Sequence, residues 1–270
     1  MQLTFFSLGS GSCGNCYYLA TESDAIIIDF GVGIRRFKKL MAEYGMKISK
    51  VRALLITHDH ADHIKAAGKF SQEFAMPVYA TPLVHEGMDK NWQTTVKIPM
   101  ENRHNIQPDE PFQLGDFRIT AFSLPHDASE NVGYHIEVGD HRFTVMTDVG
   151  DVTDNVKHYI GESTHLILEA NYDEEMLQQG RYPDILKVRI ASGHGHLSNK
   201  KAAHALADNF HENLKDVWLC HLSEENNHPE LARKTIETVL RSYGIIAGVD
   251  FNLEVLRRKI PTGPYVLNDK

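Results

Sequence analysis

The sequence predicts an α/β chain in which two packed sheets are flanked by helices. Short apolar runs rich in β-branched and aromatic residues recur along the chain and outnumber the helical stretches. The helical stretches fall between groups of those runs, so each can cover a sheet face. No repeat, low-complexity tract or long linker interrupts the pattern, and one domain over residues 1–270 is expected.

Strand patterns occupy residues 3–8, 16–19 and 25–29, the last being the run Ala25-Ile26-Ile27-Ile28 closed by Asp29. Between the first two lies Ser7-Leu8-Gly9-Ser10-Gly11-Ser12-Cys13-Gly14-Asn15-Cys16. The N–H groups and hydroxyls of this loop would cradle a phosphate or shape a pocket floor, or the loop is simply a tight hairpin. Ile34, Phe37, Leu40, Met41 and Tyr44 then repeat at spacings of three and four, the face of an amphipathic helix. Strands are expected at 51–57, 78–80, 117–124, 133–138 and 143–147, with Gly139-Asp140 turning a hairpin between the last two. A strand at 165–169 precedes a helical face through Ala203, Leu206, Ala207, Phe210 and Leu214. The strand at 217–220 is followed by a final helical face of Leu231, Ile236, Val239, Leu240 and Tyr243, with Pro229 suited to its first turn.

Composition narrows the class. The chain has 42% hydrophobic residues and no run of about 18 apolar residues, so no membrane span is expected. Its start, Met1-Gln2-Leu3-Thr4-Phe5-Phe6, has no basic segment ahead of the strand pattern, and a secretory signal is not expected. Three cysteines, an odd number, suit a reducing cytoplasm better than a disulfide framework. Cys13 and Cys16 have a C-x-x-C spacing, but no second pair accompanies them to make a zinc site. A net charge of −8 does not advertise a nucleic-acid protein. It does not exclude one, because bound divalent ions concentrate positive charge where a phosphate would lie. Histidine is unusually frequent, at 16.

Residues 57–63 read Thr-His-Asp-His-Ala-Asp-His and follow the apolar strand pattern directly. Four metal-capable side chains, His58, His60, Asp62 and His63, thus fall in one turn. His58 and His60, two apart on extended backbone, point to one side. Asp62 sits where a helix N-terminus favours an anion. Imidazoles with a carboxylate suit zinc or a similar ion, whereas calcium and magnesium prefer nearly all-oxygen sites.

This heptapeptide resembles the signature of the metallo-β-lactamase superfamily, His-x-His-x-Asp-His. Asp29, His126, Asp148 and His221 match the superfamily's remaining positions in order, each just after a strand pattern. The resemblance implies a four-layer αββα sandwich and a dinuclear site. His58, His60 and His126 would hold the first metal and Asp62, His63 and His221 the second, with Asp148 bridging and Asp29 orienting a ligand. Zinc is the expected metal, with manganese or iron able to use the same donors. The ion pair would hold a bridging hydroxide as nucleophile. The antibiotic-hydrolysing zinc enzymes carry a Cys near the step that Asp148 fills, so a β-lactamase role is not expected.

Three further segments narrow the branch: the Ser-Gly-Ser-x-Gly-Asn loop, Pro125-His126-Asp127-Ala128, and Ser192-Gly193-His194-Gly195-His196-Leu197-Ser198-Asn199. With Leu219-Cys220-His221-Leu222-Ser223 they resemble the YycJ/WalJ (VicX) group, which is related to ribonuclease Z and associated with 5′-to-3′ exonuclease action on DNA. That likeness implies a DNA substrate, with Glu169 holding His196 as proton donor and Asp62 sharing in catalysis. Ser10, Ser12, Asn15, His194 and Ser198 are the expected phosphate- or substrate-binding residues, and Ser198 is equally readable as a helix cap. Too few residues separate Asp148 from His221 for a full β-CASP cap, and no long exosite arm is present. The alternative is a small-molecule hydrolase of the same fold, acting on a cyclic or simple phosphodiester or a thioester. The oligomeric state is not readable.

Overall fold

The computed structural model describes residues 1–268. The first half of the chain builds β1 (Gln2–Gly9), β2 (Cys16–Ala20), β3 (Ala25–Ile28), β4 (Val51–Leu55), β5 (Val78–Ala80) and β6 (Arg103–Asn105). The second half builds β7 (Phe112–Leu114), β8 (Phe117–Ser123), β9 (Val132–Val138), β10 (His141–Met146), β11 (His165–Glu169), β12 (Asp216–Cys220) and β13 (Asn252–Val255), and β14 (Thr262–Asn268) returns to the first sheet. The strands form two seven-stranded sheets, ordered β14-β1-β2-β3-β4-β5-β6 and β13-β12-β11-β10-β9-β8-β7. From β3 to β6, and again from β10 to β13, neighbours are parallel. Their carboxyl ends therefore open on one edge, where ligands gather in such sheets.

Burial on both faces explains why these strands read as nearly continuous apolar runs. Ile26 and Ile28 of β3 and Ile167, Trp218 and Cys220 of β11 and β12 face the space between the sheets, where Phe5 stacks near Trp218 and Phe143 at centroid distances of 4.7 and 5.1 Å. Ile27 and Leu54 face outward onto α1 (Ile34–Glu43), α2 (Ala61–Ile64), α3 (Ala67–Phe74) and α4 (Pro82–Lys90). On the other side, Leu166, Leu168, Val217 and Leu219 pack against α5 (Asp154–Glu162), α8 (Asn199–Asp208) and α9 (Pro229–Ser242). The result is the helix–sheet–sheet–helix sandwich expected from the sequence. Between α5 and α8 lie two short helices, α6 (Glu174–Gln179) and α7 (Asp184–Ala191). No residue of α7 is buried, and its Ile185 and Val188 are 86% and 70% exposed. No helix among the described residues is long and apolar enough to cross a membrane.

The differences from expectation have physical causes. β6, β7, β13 and β14 were not foreseen. All four are edge strands that bury few residues and so leave little apolar pattern to read, and β14 carries Gly263 and Pro264, residues an edge strand tolerates. The helix expected to reach Leu214 ends at Asp208; Asn209 donates its side-chain N–H to the Ala205 carbonyl (2.8 Å), and Leu214 reaches the same core from the following loop. The Gly139-Asp140 hairpin forms, with His141 paired to Val138 and Gly139 taking the positive φ.

Candidate metal centre

Expected strands that lead to a candidate site residue stop short of it: β3 ends at Ile28, β4 at Leu55 and β10 at Met146. The residues beyond leave the ladder and turn inward. Asp29, Asp148 and His221 hold positive φ of 59°, 59° and 53°, a left-handed backbone uncommon outside glycine and most accessible to Asn, Asp and His. Each such turn reverses the chain at the sheet edge while leaving a functional side chain at the centre, and such outliers concentrate at functional sites. Gly31 supports the arrangement from below, because a Cβ there would overlap the Asp62 carbonyl. The same carbonyl accepts the Asn15 N–H at 2.8 Å, tying the glycine-rich loop to the histidine turn.

Three imidazoles, His58, His60 and His126, bring ligand atoms within 4.8 Å of one another; Asp62, His63 and His221 form a second such group. Asp148 adjoins both sets, with Oδ2 3.2 Å from His63 Nε2 and Oδ1 3.7 Å from His126 Nε2 and 3.4 Å from His221 Nδ1. Most of the rings are oriented through their other nitrogen, as metal-binding histidines usually are. His63 Nδ1 lies 2.7 Å from Asp29 Oδ2, and His126 Nδ1 lies 2.7 Å from the Gly195 carbonyl. His60 Nε2 is 3.2 Å from the Asp127 carbonyl, leaving Nδ1 toward His126. His58 Nδ1 meets the Thr57 hydroxyl at 3.0 Å, while its Nε2 is buried without any hydrogen-bond partner. An orphaned buried nitrogen is costly, and a cation among these donors would satisfy it. The donor set of imidazoles and carboxylates, with no thiolate, fits zinc, manganese or iron.

The electrostatics agree. Burial, followed by the neighbouring His63, depresses His58 far below its ordinary value, so its lone pair is available. Burial likewise lowers His126. Burial opposes charge on Asp148, yet His221 and His63 hold it well below the usual carboxylate range. Asp62 is similarly pulled to about 2, against burial, by His63 and His221. Burial should neutralise His221, but Asp148, then hydrogen bonds to Asp62 and Glu169, push it to about 10. His63 is raised by Asp148, Asp29 and Asp62 against the same penalty. Protons on these rings thus balance buried carboxylates in the protein alone, and a bound cation would displace them.

Beside the ligands, His196 Nδ1 lies 2.7 Å from Glu169 Oε1. Glu169 is fully buried and also accepts the Val149 and Leu197 N–H groups at 2.7 and 3.1 Å. His196 borders a cleft of about 250 Å³ with Ser12, Asp62, Asp148 and His221. Of the expected substrate-binding residues, only Ser12 reaches that cleft. Ser10 is buried, its hydroxyl accepting the His221 N–H (3.0 Å) and meeting Tyr17 OH (2.8 Å). Asn15 is buried, its amide Nδ2 at 2.8 Å from His63 Nε2 and its Oδ1 accepting the Gly11 N–H at 2.7 Å. Ser198 is buried as the N-cap of α8, accepting the Lys201 N–H and donating to Glu174. His194 is exposed and lies outside the ligand groups. Ser10 and Asn15 thus brace His221 and His63, and Ser198 caps α8.

Sequence reasoning passed over several supports. Thr57 donates its N–H to Asp29 Oδ1 at 2.9 Å, and its hydroxyl lies 2.9 Å from Oδ2. Asn131 donates to the Asp148 carbonyl at 2.7 Å, and Asn171 to the His221 carbonyl at 2.8 Å. Of these, Thr57 carried a signal, standing inside the heptapeptide already singled out.

A family model described as a beta-lactamase superfamily domain matches residues 25–214. The chain is 34% identical to exodeoxyribonuclease YycJ of Bacillus anthracis over 262 residues, covering 97% of this chain and 98% of the relative. It is also 34% identical to exodeoxyribonuclease WalJ of Streptococcus pneumoniae serotype 2, covering 91% of each. The chain belongs to the metallo-β-lactamase superfamily, in the YycJ/WalJ group. Among solved structures, the metallo-β-lactamase fold protein YhfI of Bacillus subtilis is similar in fold, with a TM-score of 0.70 at 18% identity over 97% of this chain and 98% of that one. In this superfamily member the matched region holds every expected ligand except His221, which follows β12 beyond it.

Proposed function

We propose that the chain is a dinuclear-metal phosphodiesterase that degrades nucleic acid, releasing nucleotides from the 5′ end of DNA. The observation that carries the reading is the position of Asp148 between two three-residue ligand groups, beside a histidine held by a buried glutamate. The names of the two exodeoxyribonuclease relatives support DNA and the exonuclease mode.

In this reading His58, His60 and His126 would hold one ion and Asp62, His63 and His221 the other, with Asp148 available to both. Such a pair, zinc first and manganese or iron next, would supply an acidified water and positive charge for the phosphoryl oxygens. Asp62, ionised on the cleft wall, would accept a hydrogen bond from the attacking hydroxide, whose proton has passed to solvent. The new P–O bond forms as the ester P–O bond breaks, and His196 donates its proton to the departing alkoxide. Glu169 fixes that imidazole through Nδ1, which leaves Nε2 for the proton transfer. A second reading, a small phosphodiester substrate, is favoured by the small volume of the cleft, about 250 Å³.

The deciding measurement is nucleotide release from end-labelled duplex DNA, single strands and RNA, with zinc and manganese tried separately and His60→Ala as control. Stepwise release from the 5′ end, absent in the control, is expected. Metal-loaded protein that releases nothing from a polymer yet hydrolyses a simple diester would transfer the assignment to the second reading.

A further inference from the structure

The chain has two tryptophans, and they differ completely in setting. Trp218 lies in the inter-sheet core at 2% exposure, whereas Trp92 is 85% exposed. Trp92 borders a groove of about 740 Å³ whose walls include His60 and Asp62, both also walls of the metal cleft. Arg189 stands at the junction of the two spaces. The segment bearing Trp92 is fastened on both sides. Asn91 donates to the Asp59 carbonyl (2.9 Å), between two metal-centre histidines, and Lys97 Nζ donates to the carbonyls of Asn91 (2.8 Å) and Met88 (3.0 Å). A large aromatic ring held out in water on a pinned turn marks a binding surface more than a packing residue.

From this placement, and resting on the nuclease reading, we propose that Trp92 is a stacking platform for an unpaired nucleobase of the strand whose phosphate occupies the metal cleft. Most of the other residues lining the groove are polar, including Asp59, Asn91, Gln93 and Ser129. A planar ring with polar edges fits one aromatic face among such groups, whereas an apolar protein segment finds little to cover. Base–aromatic stacking is tolerant of sequence and recurs in proteins that grip single strands. Lys90 and Arg189 stand beside the groove in partly exposed pairs with Glu86 and Asp127, weak enough to re-pair with backbone phosphate. The substrate class is therefore a single-stranded end or a duplex whose terminal base has frayed.

The test uses full-length, zinc-loaded protein and strands with phosphorothioate linkages that resist cleavage. Trp92 supplies the solvent-responsive fluorescence and buried Trp218 a constant background. Oligothymidylate should quench emission in a saturable way, and an abasic strand of equal length should not. Trp92→Ala should bind labelled oligothymidylate about tenfold more weakly in fluorescence anisotropy, with Trp92→Phe restoring most of the affinity. Equal quenching by the abasic strand, or undiminished binding by Trp92→Ala, would overturn the inference. Nucleotide release by metal-loaded wild-type protein tests the parent reading separately. Base-dependent quenching in a protein without nuclease activity would sink that reading and sustain this one; nuclease activity with base-indifferent binding would do the reverse.

Discussion

Asp148 and His196 sit within 3.7 Å of each other but do different work in the proposed mechanism. Asp148 adjoins both ligand groups, so Asp148→Ala should lose at least one metal equivalent and nearly all hydrolysis, as read by elemental analysis and nucleotide release. Full metal content with full activity would remove it from the bridging position. His196→Ala should keep both ions while turnover falls roughly 10²- to 10⁴-fold, the usual range for a lost acid–base group. Loss of metal in that variant would make His196 a ligand and end its role as proton donor. At this scale the ligands were the legible part: donor chemistry is written in the side chains, and His58, His60, Asp62 and His63 share one turn. His126, Asp148 and His221 were found through family likeness, since no spacing in the chain links them. For Ser10, Asn15 and Ser198 the sequence left two roles open, because a hydroxyl or amide is equally suited to phosphate and to backbone. Only the fold shows that they face His221, His63 and Lys201.

The strands that lead into the candidate site are those whose sequence states them most clearly. β3, β11 and β12 are buried on both faces and read as unbroken apolar runs. The margins were illegible for the converse reason: β13 and β14 bury alternate positions at best, and their glycine, proline and polar residues look like loop. α8 is the element on which a local contact can be weighed. Its N-cap hydroxyl, Ser198 Oγ, accepts the Lys201 N–H at 3.2 Å. Ser198→Ala should cost about 1 kcal/mol, visible as a lower denaturant midpoint. Because the cap serves the helix and not the substrate, KM should hardly move. A large KM rise at unchanged stability would return Ser198 to the substrate site.

For the molecule as a whole, stability and metal occupancy are coupled through protons. His221 is raised from 6.5 to about 10 by the surrounding carboxylates. A folded-state pKa above the unfolded one gives stability that is complete below about pH 6.5 and disappears as pH climbs toward 10. Metal-free protein should accordingly show a melting temperature that falls across that alkaline window. Protein loaded with zinc should hold its melting temperature there, since the cation takes over the role of the proton. Parallel melting profiles for the two forms would show that the histidine charge does not support the fold.

α7 contributes Leu186, Arg189 and Ile190 to the wall of the cleft, yet buries none of its residues. The centre itself hangs from strand ends locked into two sheets, where nearly any change disturbs the core. Substitutions on α7 escape the packing penalty that those on the strands incur, so the cleft wall can be reshaped without disturbing the frame that holds the candidate ligands.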